Sequence, residues 1–110
     1  ACVHLGSDFP VVGLEPMEEV YGAVFRMLED GSNPEGWFAE ERITMGDALR
    51  AYTYGSAYAM HAEDRIGTLA CGKQADICVL DRNLFECEPA DVLEATSLLT
   101  MIAGKVVFEA

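Results

Sequence analysis

The spacing of apolar residues along the chain predicts two amphipathic helices. Between residues 17 and 29 (MEEVYGAVFRMLE), apolar side chains recur at positions 17, 20, 21, 24, 25 and 28. This i, i+3, i+4, i+7 spacing places them on one helical face. The segment 45–60 (MGDALRAYTYGSAYAM) repeats the pattern, with Thr44 as a candidate N-cap and Asp47 as the acidic partner of a capping box. We therefore expect helices over 17–29 and 45–60.

The second helix carries an unusual number of small residues, which are Ala48, Ala51, Gly55, Ser56, Ala57 and Ala59. Small side chains allow another segment of backbone to approach closely. We therefore expect something to pack very close to this helix.

Short apolar runs bounded by turn residues predict strands in the last third of the chain. They cover residues 75–80, 97–102 and 105–109, and only Ala103-Gly104 separates the last two. Two residues that include a glycine, between β-rich runs, are typical of a β-hairpin. The three strands form a small antiparallel sheet whose edges need partners. We therefore expect self-association through the sheet edges.

The chain also opens with an apolar run, CVHLG at residues 2–6, which predicts a short buried strand. Ser7 and Asp8 follow it, and Pro10 keeps the next residues irregular. A carboxylate at the end of a strand serves as a turn residue, a helix cap or part of an active site. From the residues alone, a turn or a cap is the favoured interpretation of Asp8.

Composition and charge narrow the class of protein. The chain has 110 residues, 51% of them hydrophobic, which suffices for one domain, or a part of one, with a real core. The net charge of −12 argues against nucleic acid and an anionic membrane surface as partners. No apolar run reaches the length of about 18 residues that a transmembrane helix needs, and no signal peptide is recognisable. The four cysteines lack C-x-x-C spacing, so we expect reduced thiols, a buried Cys78 and a cytoplasmic location.

The sequence holds no complete metal shell or nucleophile motif. On a strand, His4 and Asp8 would lie about 13 Å apart, whereas zinc ligands lie about 2.0–2.3 Å from the ion. Only one other histidine is present, and Gly6-Ser7 is not part of a G-x-S-x-G elbow. We therefore expect no self-sufficient metal site in these 110 residues.

Three segments together nevertheless resemble one protein family. They are GSDFPV, the stretch ERITMGDALRAYTYGSAYAMHAEDRIGTLACGKQADICVLDRNLF, and TMIAGKVVFEA. In this order they resemble the C-terminal part of metal-dependent amidohydrolases, in the amidohydrolase-3 branch of that superfamily. The pattern G-x-L-x-x-G-K-x-A-D-hydrophobic-x-V-L-D is matched by Gly67, Leu69, Gly72, Lys73, Ala75, Asp76, Ile77, Val79, Leu80 and Asp81.

The resemblance implies a mixed α/β fold that is incomplete as given. The family fold is a (β/α)₈ TIM barrel with a small β-sandwich built from both ends of the chain. Residues 1–66 would be the end of the barrel, with strand eight at residues 2–6, and residues 67–110 the C-terminal share of the sandwich. A typical barrel needs about 250 residues, so 110 cannot close one. Lys73 and Asp76 are expected to shape the turn into the sandwich strand.

For function, the resemblance implies hydrolysis of a carbon–nitrogen bond other than a peptide bond in a small-molecule substrate. Asp8 matches the catalytic aspartate at the end of strand eight, which takes a proton from a water bound to one or two divalent metals, expected to be zinc, and also touches the metal. The family's histidine ligands are not among these residues. The 110 residues alone are therefore expected to bind no catalytic metal and to be inactive. The alternative is a small association module, without catalysis, that dimerises or swaps strands through its exposed sheet edges.

Overall fold

The computed structural model describes residues 1–110, which form short helices and one three-stranded sheet. None of the helices combines the length and the apolar character that crossing a bilayer requires. The helices are α1 (Pro16–Phe25), α2 (Met45–Arg50), α3 (Ser56–Ala59) and α4 (Pro89–Leu93), with a π-helical turn at Ala51–Gly55 and 3₁₀ turns at Ala39–Glu41 and Leu84–Glu86. The strands are β1 (Ile77–Leu80), β2 (Ser97–Ile102) and β3 (Lys105–Glu109).

The first predicted helix, 17–29, is present but ends early, at Phe25. Arg26 adopts a left-handed conformation with φ 54°, and its carbonyl oxygen accepts hydrogen bonds from the backbone N–H of Trp37 at 2.7 Å and the side-chain amide of Asn33 at 3.2 Å. The prediction of the helix end was wrong, because contacts with the following loop outweigh the local apolar pattern.

The second predicted helix is confirmed as one helical run from α2 through the π-helical turn to α3. Thr44 is its N-cap, since its Oγ1 accepts a hydrogen bond from the backbone N–H of Asp47 at 3.1 Å. The reciprocal half of the capping box differs from the prediction. The Asp47 carboxylate accepts a hydrogen bond from the Thr44 hydroxyl at 2.6 Å instead of one from the Thr44 backbone N–H, because its side chain is one methylene shorter than that of glutamate.

The predicted antiparallel sheet is also confirmed, with strand order β1-β2-β3. Ala103 and Gly104 both have positive φ, 51° and 77°, as the central residues of a type I′ hairpin turn require. β1 begins two residues later than the predicted 75–80. The prediction that Cys78 is buried was wrong: its side chain is exposed, because no layer of this chain covers that face of β1.

The strand predicted at residues 2–6 is absent. A strand needs a neighbour that accepts and donates its backbone hydrogen bonds, and the sheet contains only β1, β2 and β3. Val3 is 60% exposed, so the predicted burial of this segment was also wrong.

The hydrophobic core lies among the helices rather than on the sheet. Its buried side chains are Val20, Tyr21, Ala48, Leu84 and Val92. They come from α1, α2, the second 3₁₀ turn and α4, so residues on both sides of the predicted boundary at 66/67 contribute to one core. The division into barrel and sandwich parts stays a prediction.

Candidate functional site

Asp8 lies in a tight turn and presents its side chain to solvent. Its φ is 50°, in the left-handed region that aspartate tolerates better than most residues. Its carbonyl oxygen accepts the backbone N–H of Val11 at 2.9 Å, which closes the turn around the cis Phe9–Pro10 bond. Asp8 is thus a turn residue, the role that its local sequence favours. Its exposed carboxylate is accessible to a ligand.

The segment before Asp8 is held by the helical run that was predicted to have a close neighbour. Ser56 Oγ donates a hydrogen bond to the carbonyl oxygen of Leu5 at 3.2 Å. Gly55 is buried beneath Val3, and a β-carbon on Gly55 would overlap the carbonyl oxygen of Val3. The expectation of a close approach at this small-residue surface is therefore confirmed. The role of Gly55 and Ser56 in it could not be assigned from sequence, since their partners lie about fifty residues away in the chain.

The structure brings no other metal-ligating side chains to Asp8. No group of three or more histidine, cysteine, aspartate or glutamate side chains in residues 1–110 could hold a metal ion. His4 is exposed and makes no hydrogen bond. The donor set of this chain therefore amounts to one carboxylate, which suits a divalent ion as a single oxygen ligand but does not form a coordination shell.

Two charged residues of the G-x-L-x-x-G-K-x-A-D pattern have structural contacts. Lys73 Nζ donates to the carbonyl oxygen of Glu63 at 2.5 Å, which ties the end of the helical region to the turn that precedes β1. The Asp76 carboxylate accepts the backbone N–H of Ala103 at 2.8 Å, and this bond, followed by one from the Gln74 side chain, lowers the pKa of Asp76. Both residues shape the entry into the sheet, as predicted.

Asp81, the last residue of the pattern, joins the end of β1 to the start of β2. Its carboxylate accepts two hydrogen bonds from the Arg82 guanidinium, at 2.9 and 2.8 Å, and one from the backbone N–H of Thr96 at 3.1 Å. The Arg82 bonds are the main reason, and the Thr96 bond the second, that the pKa of Asp81 lies far below its usual range. This carboxylate stabilises the sheet through these hydrogen bonds and is not a candidate catalytic or metal-binding group.

One carboxylate lies against the helical core. Burial raises the pKa of Glu19 above its ordinary value, although the nearby Tyr52 hydroxyl works in the opposite direction. Its Oε1 is buried without a hydrogen-bond partner. The charge of Glu19 in turn adds to the effect of burial in raising the pKa of Tyr52. This pair lies between α1 and the π-helical turn and forms a second electrostatic feature, separate from the turn that carries Asp8.

Comparison with known proteins identifies the family. The model of the Amidohydrolase family, in its amidohydrolase-3 branch, matches residues 2–108. The chain therefore belongs to the amidohydrolase family, whose members generally use a divalent metal ion and act on small molecules.

Relatives align with nearly all of the chain. It is 34% identical to Protein LONG AFTER FAR-RED 3 of Arabidopsis thaliana over 98% of this chain and 18% of that protein. It is 33% identical to the N-substituted formamide deformylase of Arthrobacter pascens over 97% of this chain and 19% of that protein. The chain thus spans about a fifth of the length of the curated relatives it matches.

A solved structure shares the fold. The crystal structure of an amidohydrolase from Thermotoga maritima superimposes on the whole of this chain with a TM-score of 0.65 and 22% identity. The matched part makes up 24% of that protein.

Proposed function

We propose that residues 1–110 are the C-terminal part of a hydrolase that cleaves carbon–nitrogen bonds other than peptide bonds in small molecules. In this proposal, residues 1–66 are the end of a (β/α)₈ barrel and residues 67–110 belong to its small β-sandwich. The match of the family model over residues 2–108 supports the proposal. So does the relative from Arthrobacter pascens, whose name gives N-substituted formamides as its substrates. The bond from the formyl carbon to nitrogen in these compounds is of the proposed type.

The observation that carries the catalytic part of the proposal is the placement of Asp8. It is an exposed carboxylate in a closed turn, directly after the segment that the resemblance assigns to strand eight. Active sites of such barrels lie at the C-terminal ends of the strands. We propose that the Asp8 carboxylate accepts the proton of the attacking water and delivers it to the departing nitrogen. A general acid–base group in this position contributes about 10²–10⁴-fold to the rate.

Asp8 also fits a divalent metal ion as one of its ligands, and we expect zinc. When bound, such an ion makes water a stronger acid and polarises a carbonyl oxygen. The other ligands would have to come from outside residues 1–110, since these form no shell of their own. We therefore expect the 110-residue chain by itself to bind no catalytic metal tightly and to be inactive.

Our prediction of a cytoplasmic location also stays a prediction.

The substitution Asp8→Asn in the full-length protein tests the role of Asp8. Asparagine has the same shape and also tolerates a positive φ, so the turn is expected to remain closed. We expect kcat for an N-substituted formamide to fall about 10²–10⁴-fold, measured as release of formate. Asp64→Asn is the matched control, because Asp64 is an exposed aspartate that makes no hydrogen bond, and it should leave kcat within about twofold.

Equal kcat values for Asp8→Asn and the wild-type protein would exclude Asp8 as the proton-transfer group. A wild-type protein that hydrolyses no amide, formamide or related cyclic substrate while holding its metal would contradict the proposed function itself.

A second candidate function, self-association, is favoured by the free edge of the sheet. Every residue of β3 is exposed, and Val106, Val107 and Phe108 are each about half accessible to solvent. We propose that β3 pairs with β3 of a second copy. In an antiparallel pair centred on Val107, Lys105 of each copy lies opposite Glu109 of the other, so both ends of the pair are oppositely charged. A β-bulge, which leaves Val107 without a partner in β2, twists this edge and works against tight pairing.

A charge exchange tests this pairing. Lys105→Glu places like charges opposite each other at both ends, and so does Glu109→Lys. We expect each single substitution to shift the protein towards monomer, and the double substitution to restore the dimer, in light scattering coupled to size exclusion. A monomeric wild-type protein at about 100 μM, or a double variant that behaves like the single ones, would contradict association through β3.

A further inference from the structure

We infer that Gly55 and Ser56, here called the platform, position the segment that carries Asp8. This inference rests on the proposed function for its catalytic consequence, although the anchoring itself is a feature of the fold. The platform lies where the π-helical turn Ala51–Gly55 meets α3. Interruptions of this kind within α-helices occur frequently at functional sites.

Ser56 supplies the hydrogen bond of the platform. Its Oγ donates to the carbonyl oxygen of Leu5 at 3.2 Å, and it lies at the same distance from the carbonyl oxygen of Ala51 in its own helix. Within residues 1–110, no other hydrogen bond ties residues 1–7 to the remaining chain. In this part of the protein, the segment therefore has this one contact as its polar anchor.

Gly55 allows the backbone of Val3 and His4 to pack closely against the helical run. A β-carbon at this position would overlap the carbonyl oxygen of Val3 and would lie only 3.2 Å from the Val3 carbonyl carbon and 3.3 Å from the α-carbon of His4. The backbone of Gly55 is ordinary helix, with φ −60° and ψ −45°. Its conformation therefore does not require glycine, which is otherwise unfavourable inside a helix. Glycine is required because the backbone of Val3 and His4 packs directly on this position.

The platform fixes Asp8 from the N-terminal side, and the turn fixes it from the other. Leu5 is anchored three residues before Asp8, and the Asp8 carbonyl accepts the Val11 N–H three residues after it. A catalytic carboxylate misplaced by about 1 Å can cost roughly 10²-fold in rate. Gly55 and Ser56 contact the backbone of residues 3–5 and not Asp8 itself, so they are positioning residues that act through the backbone of residues 3–8.

Two substitutions in the full-length protein, Gly55→Ala and Ser56→Ala, test the platform. The matched controls are Gly46→Ala, where a β-carbon meets only atoms 3.8 Å away, and Thr53→Ala, whose hydroxyl donates within the helix to Leu49 at 2.8 Å. The structural readout is the amide chemical shift of Val3 and Leu5 after selective ¹⁵N labelling, which detects a displaced backbone also where strands from outside residues 1–110 flank the segment. We expect these shifts to change in both platform variants and to stay unchanged in the controls.

The kinetic readout separates positioning from a general loss of stability. We expect kcat to fall at least about tenfold in the platform variants, with KM within about twofold, and Ser56→Thr, which keeps the hydroxyl, to recover most of the lost kcat. Unchanged amide shifts in both platform variants would overturn the anchoring. Changed shifts with an unchanged kcat would overturn the positioning of Asp8. If the wild-type protein is inactive, the proposed function fails, and the amide shifts alone decide the anchoring.

Discussion

The helices and the sheet of this protein are stabilised in different ways. The helices share a core in which Val20 is 1% exposed, while Ala48 and Val92 are fully buried. In the sheet, no residue of β1, β2 or β3 is buried, and β3 is exposed along its whole length. What orders the sheet is its backbone ladder, the type I′ turn at Ala103-Gly104 and the side-chain hydrogen bonds of Asp76 and Asp81.

This difference explains why each region responds to a different kind of change. Packing energy depends on buried apolar area, so the helices should be sensitive to truncation of core side chains and tolerant of small changes in charge. The sheet buries little, so it should tolerate truncation and depend on its backbone ladder and on the side-chain hydrogen bonds of Asp76 and Asp81. The sheet also leaves an apolar surface open, which is the feature that favours a partner.

The largest effect that the comparison predicts is for Leu84→Ala in the helical core. Leu84 is 5% exposed and packs within the core cluster, so truncation should lower the free energy of unfolding by about 2–5 kcal/mol. Phe108→Ala removes a larger side chain from β3, but Phe108 is 49% exposed, so the loss should stay below about 1 kcal/mol. Urea unfolding followed by circular dichroism measures both.

Leu84→Met serves as the volume-conserving control and should cost less than about 1.5 kcal/mol. A loss for Phe108→Ala as large as that for Leu84→Ala would mean that the sheet is buried against something in solution, and the contrast between the two regions would no longer hold.

Much of this fold is predictable because its patterns are local. The helix over 45–60, its Thr44 cap and the hairpin at Ala103-Gly104 each follow from residues that are neighbours in sequence. The errors arose where distant residues decide the outcome. The loop around Trp37 ends α1 early, and the segment 2–6 has no strand beside it with which to form a ladder.

Prediction of the candidate site from the sequence was limited in the same way, by contacts between residues far apart in the chain. Asp8 could be singled out because a motif surrounds it, and Lys73 and Asp76 because their pattern continues into the sheet. Ser56 could not, since a serine within a helix carries no signal for a hydrogen bond to a carbonyl 51 residues earlier. The small residues of that helix predicted a close neighbour, but only the structure identifies the neighbour as Val3.

A smaller effect, which sharpens the comparison most, is the response of the two regions to acid. The Arg82 guanidinium and then the Thr96 N–H lower the pKa of Asp81 in the folded state. Its contribution to stability is therefore fully present above the unfolded-state pKa of about 3.9 and is lost as the pH falls through the lower folded-state value. Glu19 behaves in the opposite way, because burial raises its pKa. Its contribution is present below its unfolded-state pKa of about 4.3 and is lost as the pH rises through the folded-state value.

Acid below about pH 4 should therefore loosen the sheet before the helices. Hydrogen-exchange protection, corrected for the intrinsic rate at each pH, should decrease in β1 and β2 while it is retained in α1. Asp81→Asn should loosen the sheet already at pH 7 and reduce its further response to acid to the part that Asp76 contributes, whereas Asp64→Asn should leave both unchanged. Glu19→Gln, which mimics the protonated side chain, should make the stability of α1 less dependent on pH above about 5. Simultaneous loss of protection in α1 and in the sheet would mean that the two regions unfold as one cooperative unit, in which the shared core overrides the difference in how each is stabilised.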